Sequence, residues 1–415
     1  MERRALLSMA GATAALAALV PGRLFAQDAA AGLKPMTGDV KPIERAEYLA
    51  RIDRARELMG KHRIGALLLE PGASLVYFTG VQWWRSERLT AAILPREGDI
   101  AIVTPHFEEP SVRESLKVPA EVRVWNENED PLATVAGVLR DRKVSGPVAI
   151  EETVRFFAVD GLRRPMPDVG LRNGAPVVRG CRMIKSAAEL ALMQKAADIT
   201  IAAYRHVAPR ITRGMTPKDI GAMMDAAHTA LGATPEFALI LLGEASAYPH
   251  GSGQPQAVRD GEVVLMDCGC TLEGYQSDIS RTFVFGEATA EQRKVWQQMR
   301  DGQQIAIETA RVGVAAGSVD DAVRAQYVKW GYGPGYKLPG LSHRTGHGIG
   351  LDGHEPVNLV QGEPMLLAPG MCFSDEPGIY LPGKFGIRLE DCFHMGAEKP
   401  IWFSTPPPSL DKPFG

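Results

Sequence analysis

Four acidic residues in the second half of the chain, Asp267, Asp278, Glu376 and Glu390, are spaced as two hairpin pairs. Asp267 and Asp278 stand equally far from the centre of Thr271–Gly274 (TLEG). If those four residues form the loop, with Gly274 free to take positive φ, the two aspartates become direct cross-strand neighbours. Glu376 and Glu390 stand equally far from Gly383 in IYLPGKFGI, so a Pro-Gly hairpin centred there would oppose them in the same way. Directly opposed Cβ atoms lie about 5 Å apart on one face of a strand pair. The flanking residues Val263–Met266, Phe283–Phe285 and Met371–Phe373 are apolar, which predicts burial. Four buried carboxylates on one wall repel one another unless cations compensate them. Arg281 and Arg388 can each neutralise one acid, which is too few. Hard carboxylate oxygens with an imidazole suit Mn²⁺, Fe²⁺, Co²⁺ or Zn²⁺, and shared carboxylates suit a pair of ions about 3.5–4 Å apart.

The imidazoles come from HRTGHGIGLDGH, residues 343–354, which spaces His343, His347 and His354 with glycines. Each glycine costs a helix roughly 1 kcal/mol relative to alanine, so this stretch is expected to be strand and loop.

Periodicity supplies the elements that must hold these groups. Residues 42–176 read as one α/β unit: a helix over 44–62, then GALLLEP, SLVYFTG, TAAILP and IAIVTP as short strands. From Val177 the pattern changes. A long amphipathic helix over 187–207 carries Leu190, Met193, Ala197 and Ile201 at helical spacing, and a second opens at Thr216-Pro217. Strands ALILLG, VVLMDCG and SRTFVFG follow, then helices over 289–312 and 318–330, and glycine-rich strands to Glu390. This second unit, 177–398, reads as α+β with helices on one face of an antiparallel sheet, closed by a proline-rich tail at 399–415.

Composition sets the outer limits. The 415 residues are 45% hydrophobic and 23% charged with a formal net charge of −3, as in an ordinary globular protein of two domains. Nothing in that balance points to a nucleic-acid partner or a polybasic membrane surface. Residues 1–26 carry Arg3-Arg4, an Ala/Gly-rich apolar run to Val20 and a candidate cleavage after Ala26. The order is that of a signal peptide, and the arginine pair resembles a twin-arginine export signal. The expected location is therefore outside the cytoplasm, in the periplasm, with no stable membrane insertion once the signal is removed. The five cysteines, Cys181, Cys268, Cys270, Cys372 and Cys392, are odd in number and lack a second CxxC-like pair, so they read as small buried hydrophobes.

DCGCTLEGYQSDISRTF, PHG at 249–251, HRTGHGIGLDGHEP, SDEPGIY and GIRLED, in this order, resemble the pita-bread metallopeptidases: Xaa-Pro aminopeptidases, prolidases, methionine aminopeptidases and creatinases. RMIKSAAELALMQKA resembles the usual entry to that domain, and the 42–176 unit resembles the creatinase-type N-terminal domain. The resemblance implies a C-terminal pita-bread domain behind a smaller α/β domain, and two divalent ions, manganese first, with cobalt, zinc or iron as alternatives. It implies that Asp267 binds one ion, that Asp278 and Glu390 are shared, and that His347 and Glu376 complete the other. Glu376 would be the general base. His354 and His250 would sit over the scissile bond, His343 would line the pocket beyond it, and Tyr380 and Arg388 would support substrate and ligands. The implied activity is removal of the N-terminal residue from Xaa-Pro substrates, with dipeptides slightly ahead of longer peptides. The other reading is a metal-dependent enzyme of the same fold acting on a non-peptide substrate. A homodimer is implied too, in which Trp83, Trp84, Arg85 and Arg88 could reach a neighbour's site.

Overall fold

The computed structural model describes residues 30–414; the expected signal peptide at 1–26 lies outside them. The first unit is built on one six-stranded mixed sheet, in the order β4-β3-β2-β1-β5-β6. Its strands are β1 (Ala66–Leu69), β2 (Ala91–Pro95), β3 (Ile100–Pro105), β4 (Ala120–Trp125), β5 (Val148–Ile150) and β6 (Leu171–Asn173). The first three are buried along their whole length, because both faces are covered. Leu67, Leu69, Ala92 and Leu94 point to helices Arg45–His62 and Ala175–Arg182, whereas Ala66, Leu68, Ala91 and Ile93 point to helix Pro131–Asp141. The period of two divides one apolar run between two cores.

SLVYFTG, expected as a strand, is instead the buried helix Ala73–Thr79, opened by Gly72 and ended by Gly80 at φ 78°. A short apolar run satisfies either period, and the glycines that bound it decided the outcome. Helix Ala175–Arg182 straddles the expected boundary at 176/177. Its Val177, Val178 and Cys181 complete the first core, so the change of unit falls after it.

In the second unit every strand pairing is antiparallel. One sheet comprises β7 (Thr234–Leu242), β8 (Val263–Leu272), β9 (Tyr275–Gln276) and β10 (Ile279–Val284). The other comprises β11 (Gly346–Gly348), β12 (Glu355–Leu359), β13 (Cys372–Asp375), β16 (Asp391–Met395) and β17 (Pro400–Trp402). A separate ribbon is formed by β14 (Ile379–Leu381) and β15 (Phe385–Ile387). Helices Ala187–Val207 and Pro217–Leu231 share a core with β8, and Ala290–Thr309 and Gly317–Lys329 share one with β13 and β16. Three of these helices open with capping boxes, Ser186–Glu189, Thr216–Asp219 and Thr289–Gln292. Residues 399–414 are packed on the second unit: Phe403 and Leu410 are buried, and Phe414 stacks on Tyr204.

Candidate functional site

Two hairpins build the site. In the first, Leu272 pairs with Tyr275, so the turn is the two residues Glu273 and Gly274, both at positive φ (51° and 84°), rather than the four-residue TLEG loop. Two positive-φ residues match the twist of the flanking strands better than a wider loop. Asp267 therefore opposes Ser280, not Asp278. The register differs from expectation by two residues, an even number, so Asp267 and Asp278 still share a face as diagonal neighbours. In the second hairpin, Asp375 pairs with Asp391 and Ile379 with Ile387. Both pairs are centred on Gly383, as expected, which sets Glu376 against Glu390. Alternation sorts the adjacent acids: Glu376 and Glu390 face the cavity, while Gln303 of helix Ala290–Thr309 donates to Asp391 (3.0 Å) on the other side.

Three strand ends and a glycine-rich loop thus converge on a cavity of about 1030 Å³. It is lined by Asp267, Asp278, His347, Glu376 and Glu390, and by His250, His343, His354 and Arg388. Donor atoms of His347, Glu376 and Glu390 lie within 4.8 Å of one another, as do those of Asp267, Asp278 and Glu390, and of Asp278, His347 and His354. His347 Nδ1 lies 3.0 Å from the carbonyl of Gly348 and must carry the hydrogen of that bond, so Nε2 presents a lone pair. That lone pair faces Glu376 at 3.4 Å, Asp278 at 3.6 Å and Glu390 at 3.8 Å. Burial, then the charge of His354, holds His347 well below the usual imidazole range, so protonation does not relieve the repulsion.

Asp267 and Glu390 are each anchored on one side only. Arg388 donates to Asp267 Oδ2 (2.6 Å) and to Ser280 Oγ (3.0 Å), and Ser280 donates to Glu390 Oε2 (2.8 Å). Asp267 Oδ1 and Glu390 Oε1 are buried with no hydrogen-bond partner. Burial raises the Asp278 and Glu390 carboxyls well above the ordinary range, with Asp267 and Asp278 respectively the largest charge contribution. Burial lifts Glu376 to about 7 against the opposing charge of Arg388. Unpartnered buried oxygens, a lone pair aimed at them and too few local cations are what a site for divalent ions requires, and the donor set fits. Arg281, expected to neutralise one of these acids, is taken by Asp391 at 2.6 Å.

The remaining expected residues fall into two groups. His250 and His354 stand exposed at the cavity wall, with the His354 ring 4.1 Å from that of His347. His343 lines the cavity, but its Nε2 is bonded to Tyr380 Oη at 2.7 Å. Tyr380 is fully buried behind it and does not line the cavity, so its expected contact with substrate is corrected to support of His343. Arg388 lines the cavity, with its donors engaged by Asp267, Ser280 and Tyr380. Trp83 and Trp84 stack on each other at 5.1 Å, Trp84 is 71% exposed, and neither lines this cavity. Arg85 is occupied by Pro71 and Thr153, and Arg88 by Glu87 and Glu127. Sequence reasoning missed Thr153, Glu236, Phe237 and Arg344 in the lining. Of these only Arg344, inside HRTGH, carried a signal. All five cysteines are buried and free, as expected.

Comparison with known proteins adds an independent line. The family model "Metallopeptidase family M24" matches residues 191–397, and "Creatinase/Prolidase N-terminal domain" matches 51–184. A probable dipeptidase PepE of Mycobacterium bovis is 33% identical over 83% of this chain and 91% of its own length. A Xaa-Pro dipeptidase of Lactobacillus helveticus is 32% identical over 77% and 87%. Among solved structures, dipeptidase PepE from Mycobacterium ulcerans superposes with a TM-score of 0.81, at 30% identity over 89% of this chain and 99% of that one. The prolidase from Thermococcus sibiricus gives 0.79, at 29% over 86% and 97%.

Proposed function

The chain belongs to metallopeptidase family M24, and we infer that it hydrolyses Xaa-Pro peptides, releasing the N-terminal residue. The observation that carries this reading is the five-residue donor cluster with its unpartnered oxygens, set in a chain similar along most of its length to a Xaa-Pro dipeptidase. Asp267, Asp278, His347, Glu376 and Glu390 would hold two divalent ions. When bound, such ions polarise a carbonyl and lower the pKa of water. Manganese is our proposal for both, since four carboxylates and one imidazole form a mainly hard donor set.

The chain's own groups do the rest. Glu376 stands beside His347 and can hold the proton given up by the attacking water and return it to the leaving nitrogen. His354 and His250 offer N–H donors to the carbonyl oxygen as it gains charge. The scissile bond before proline is a tertiary amide without N–H, so the wall beyond it needs no acceptor. His343 suits that wall: Nδ1 is bonded to the Arg344 carbonyl and Nε2 to Tyr380, which leaves a neutral ring to pack against the pyrrolidine. Arg344 lines the cavity with no acidic partner among the described residues, and is available to a substrate carboxylate.

Hydrolysis of Ala-Pro, Ala-Ala and Ala-Pro-Ala by protein loaded with two ions per chain tests the reading. Rapid release of alanine ahead of proline, with little from Ala-Ala, is the expected result. No hydrolysis of any of them would replace it with the non-peptide alternative. We further propose export by the twin-arginine route, for which Arg3-Arg4 before a weakly apolar run is the support. Replacing both arginines with lysine should strand the precursor in the cytoplasm; unchanged export would indicate the general secretory route. A homodimer is proposed as well, to be checked by light scattering of the mature protein.

A further inference from the structure

A second buried ionic cluster lies behind the loop that carries His354, and the hydrolytic chemistry makes no use of it. Glu355 is 4% exposed, and its Oε1 accepts from the backbone N–H of Leu351 (3.0 Å) and Asp352 (3.2 Å). Its Oε2 accepts from Lys185 Nζ at 2.9 Å. Arg182 donates to Glu355 and to Asp352 Oδ2 (2.7 Å) through Nη2, and to Ser74 Oγ (3.0 Å) through Nη1. Ser74, in the buried helix of the first unit, donates onward to Glu151 at 3.1 Å. The loop 350–355 is therefore wrapped around its own glutamate. Two cations hold that glutamate: Arg182, the last residue of helix Ala175–Arg182 of the first unit, and Lys185, just beyond it. Gly350 leaves no slack: a Cβ there would lie 2.8 Å from both Glu355 Oε1 and Lys185 Cε. Lys185 and Arg182 balance Glu355 and Asp352, so the cluster needs no external ion. His354, next in sequence to Glu355, makes no side-chain hydrogen bond among the described residues. The placement of the loop thus decides the placement of its ring.

We propose that Arg182, Lys185 and Glu355 are positioning residues for His354, coupling the seating of the first unit to the imidazole at the metal centre. The device explains why a unit that supplies little of the cavity wall is joined to it by buried charge rather than by apolar contact alone. It rests on the peptidase reading of the site.

Arg182→Gln cuts the tie to Ser74 and Asp352 while Lys185 still neutralises Glu355. In the ion-loaded enzyme it should lower kcat about tenfold on Ala-Pro with KM within about twofold, since small misplacement of a catalytic group acts on the transition state. The two ions should remain bound. In a His354→Ala background the same change should cost nothing further, because its effect passes through that ring. Equal losses in both backgrounds, unchanged kcat, or loss of an ion on Arg182→Gln would overturn the proposal. Imidazole NMR of the metal-free protein gives a reading without activity: the His354 signal should shift and the His250 signal should not. A static His354 signal would overturn it too. Should Arg182→Gln fail to fold, Ser74→Ala removes the Arg182 contact together with the Ser74–Glu151 bond inside the first unit, and must show the same dependence on His354. Absence of any Xaa-Pro hydrolysis by wild type would sink the peptidase reading, whereas the NMR result stands or falls with the positioning alone.

Discussion

Two groups of buried carboxylates lie on either side of one short loop, and they are built on opposite terms. Glu355 has two cations and two backbone N–H groups around it; burial alone would raise its carboxyl, but Lys185 and Arg182 hold it at about 2. Asp278, Glu376 and Glu390 are raised instead, and at their site Asp267 Oδ1 and Glu390 Oε1 are left without a partner. The first group is complete as folded. The second is complete only with ions from outside. At Glu355 the satisfied acid organises structure, and at the cavity the unsatisfied acids reserve a place for chemistry.

The comparison breaks most sharply at Asp278. Asp278→Asn should lose one ion by elemental analysis and activity by about 10³-fold or more, the several kcal/mol that an ion contributes to the transition state. The same change should raise the melting temperature of the metal-free protein, because it removes a charge from a repelling set. Full ion content with full activity would undo the assignment.

At Glu355 the sign should reverse. Glu355→Gln leaves Lys185 and Arg182 buried with too little negative charge, and should destabilise the fold by about 3–5 kcal/mol in urea titrations. Lys185→Met added to it should recover most of that loss, since a neutral pair carries no such penalty. Equal stability of the single variant and wild type would show that the cluster is not as desolvated as its geometry indicates.

Acidity sharpens the contrast further. A carboxyl raised on folding binds more protons in the native state than in the unfolded chain, so its stabilisation is present at low pH and fades as pH rises. With Glu376 lifted from 4.5 to about 7, metal-free protein should lose stability steadily between those values. Ion-loaded protein should not, because bound cations take the place of the protons. Thermal scans across pH 4.5–7.5, with and without chelator, check this. A metal-free curve parallel to the loaded one would contradict it.

The smallest expected effect concerns Arg344, a cavity cation whose charge reaches Glu376 but which forms no ion pair among the described residues. Arg344→Gln should raise KM for Ala-Pro about tenfold, the loss of one charge-assisted contact. KM for Ala-Pro-amide should change less than about twofold. Equal effects on acid and amide would remove Arg344 from substrate recognition.

Much of this was legible in the residues. The acids, their pairing as hairpins and the role of Gly383 follow from spacing, because an antiparallel register is a sum of indices that a turn residue marks. The face shared by Asp267 and Asp278 survived a two-residue error in register for the same reason: side chains alternate with period two, so only an odd slip would have separated them. The short run SLVYFTG was not legible, since its four consecutive apolar residues, Leu75–Phe78, fit a buried helix as well as a strand. Nor was the seating of residues 399–414, which read only as a proline-rich tail.

Which residues would be buried acids, and that they outnumber the local cations, was determined by the chain alone through hydrophobic pattern and composition. Only the tertiary structure decided which charge answers which. Arg281 turned to Asp391 and Arg388 to Asp267, Tyr380 withdrew behind His343, and Lys185 and Arg182 closed on Glu355. Strand alternation and turn chemistry act over a few neighbouring residues and can be read along the chain. An ion pair depends on which side chains meet across more than a hundred positions, and that distance is closed only by packing the elements together.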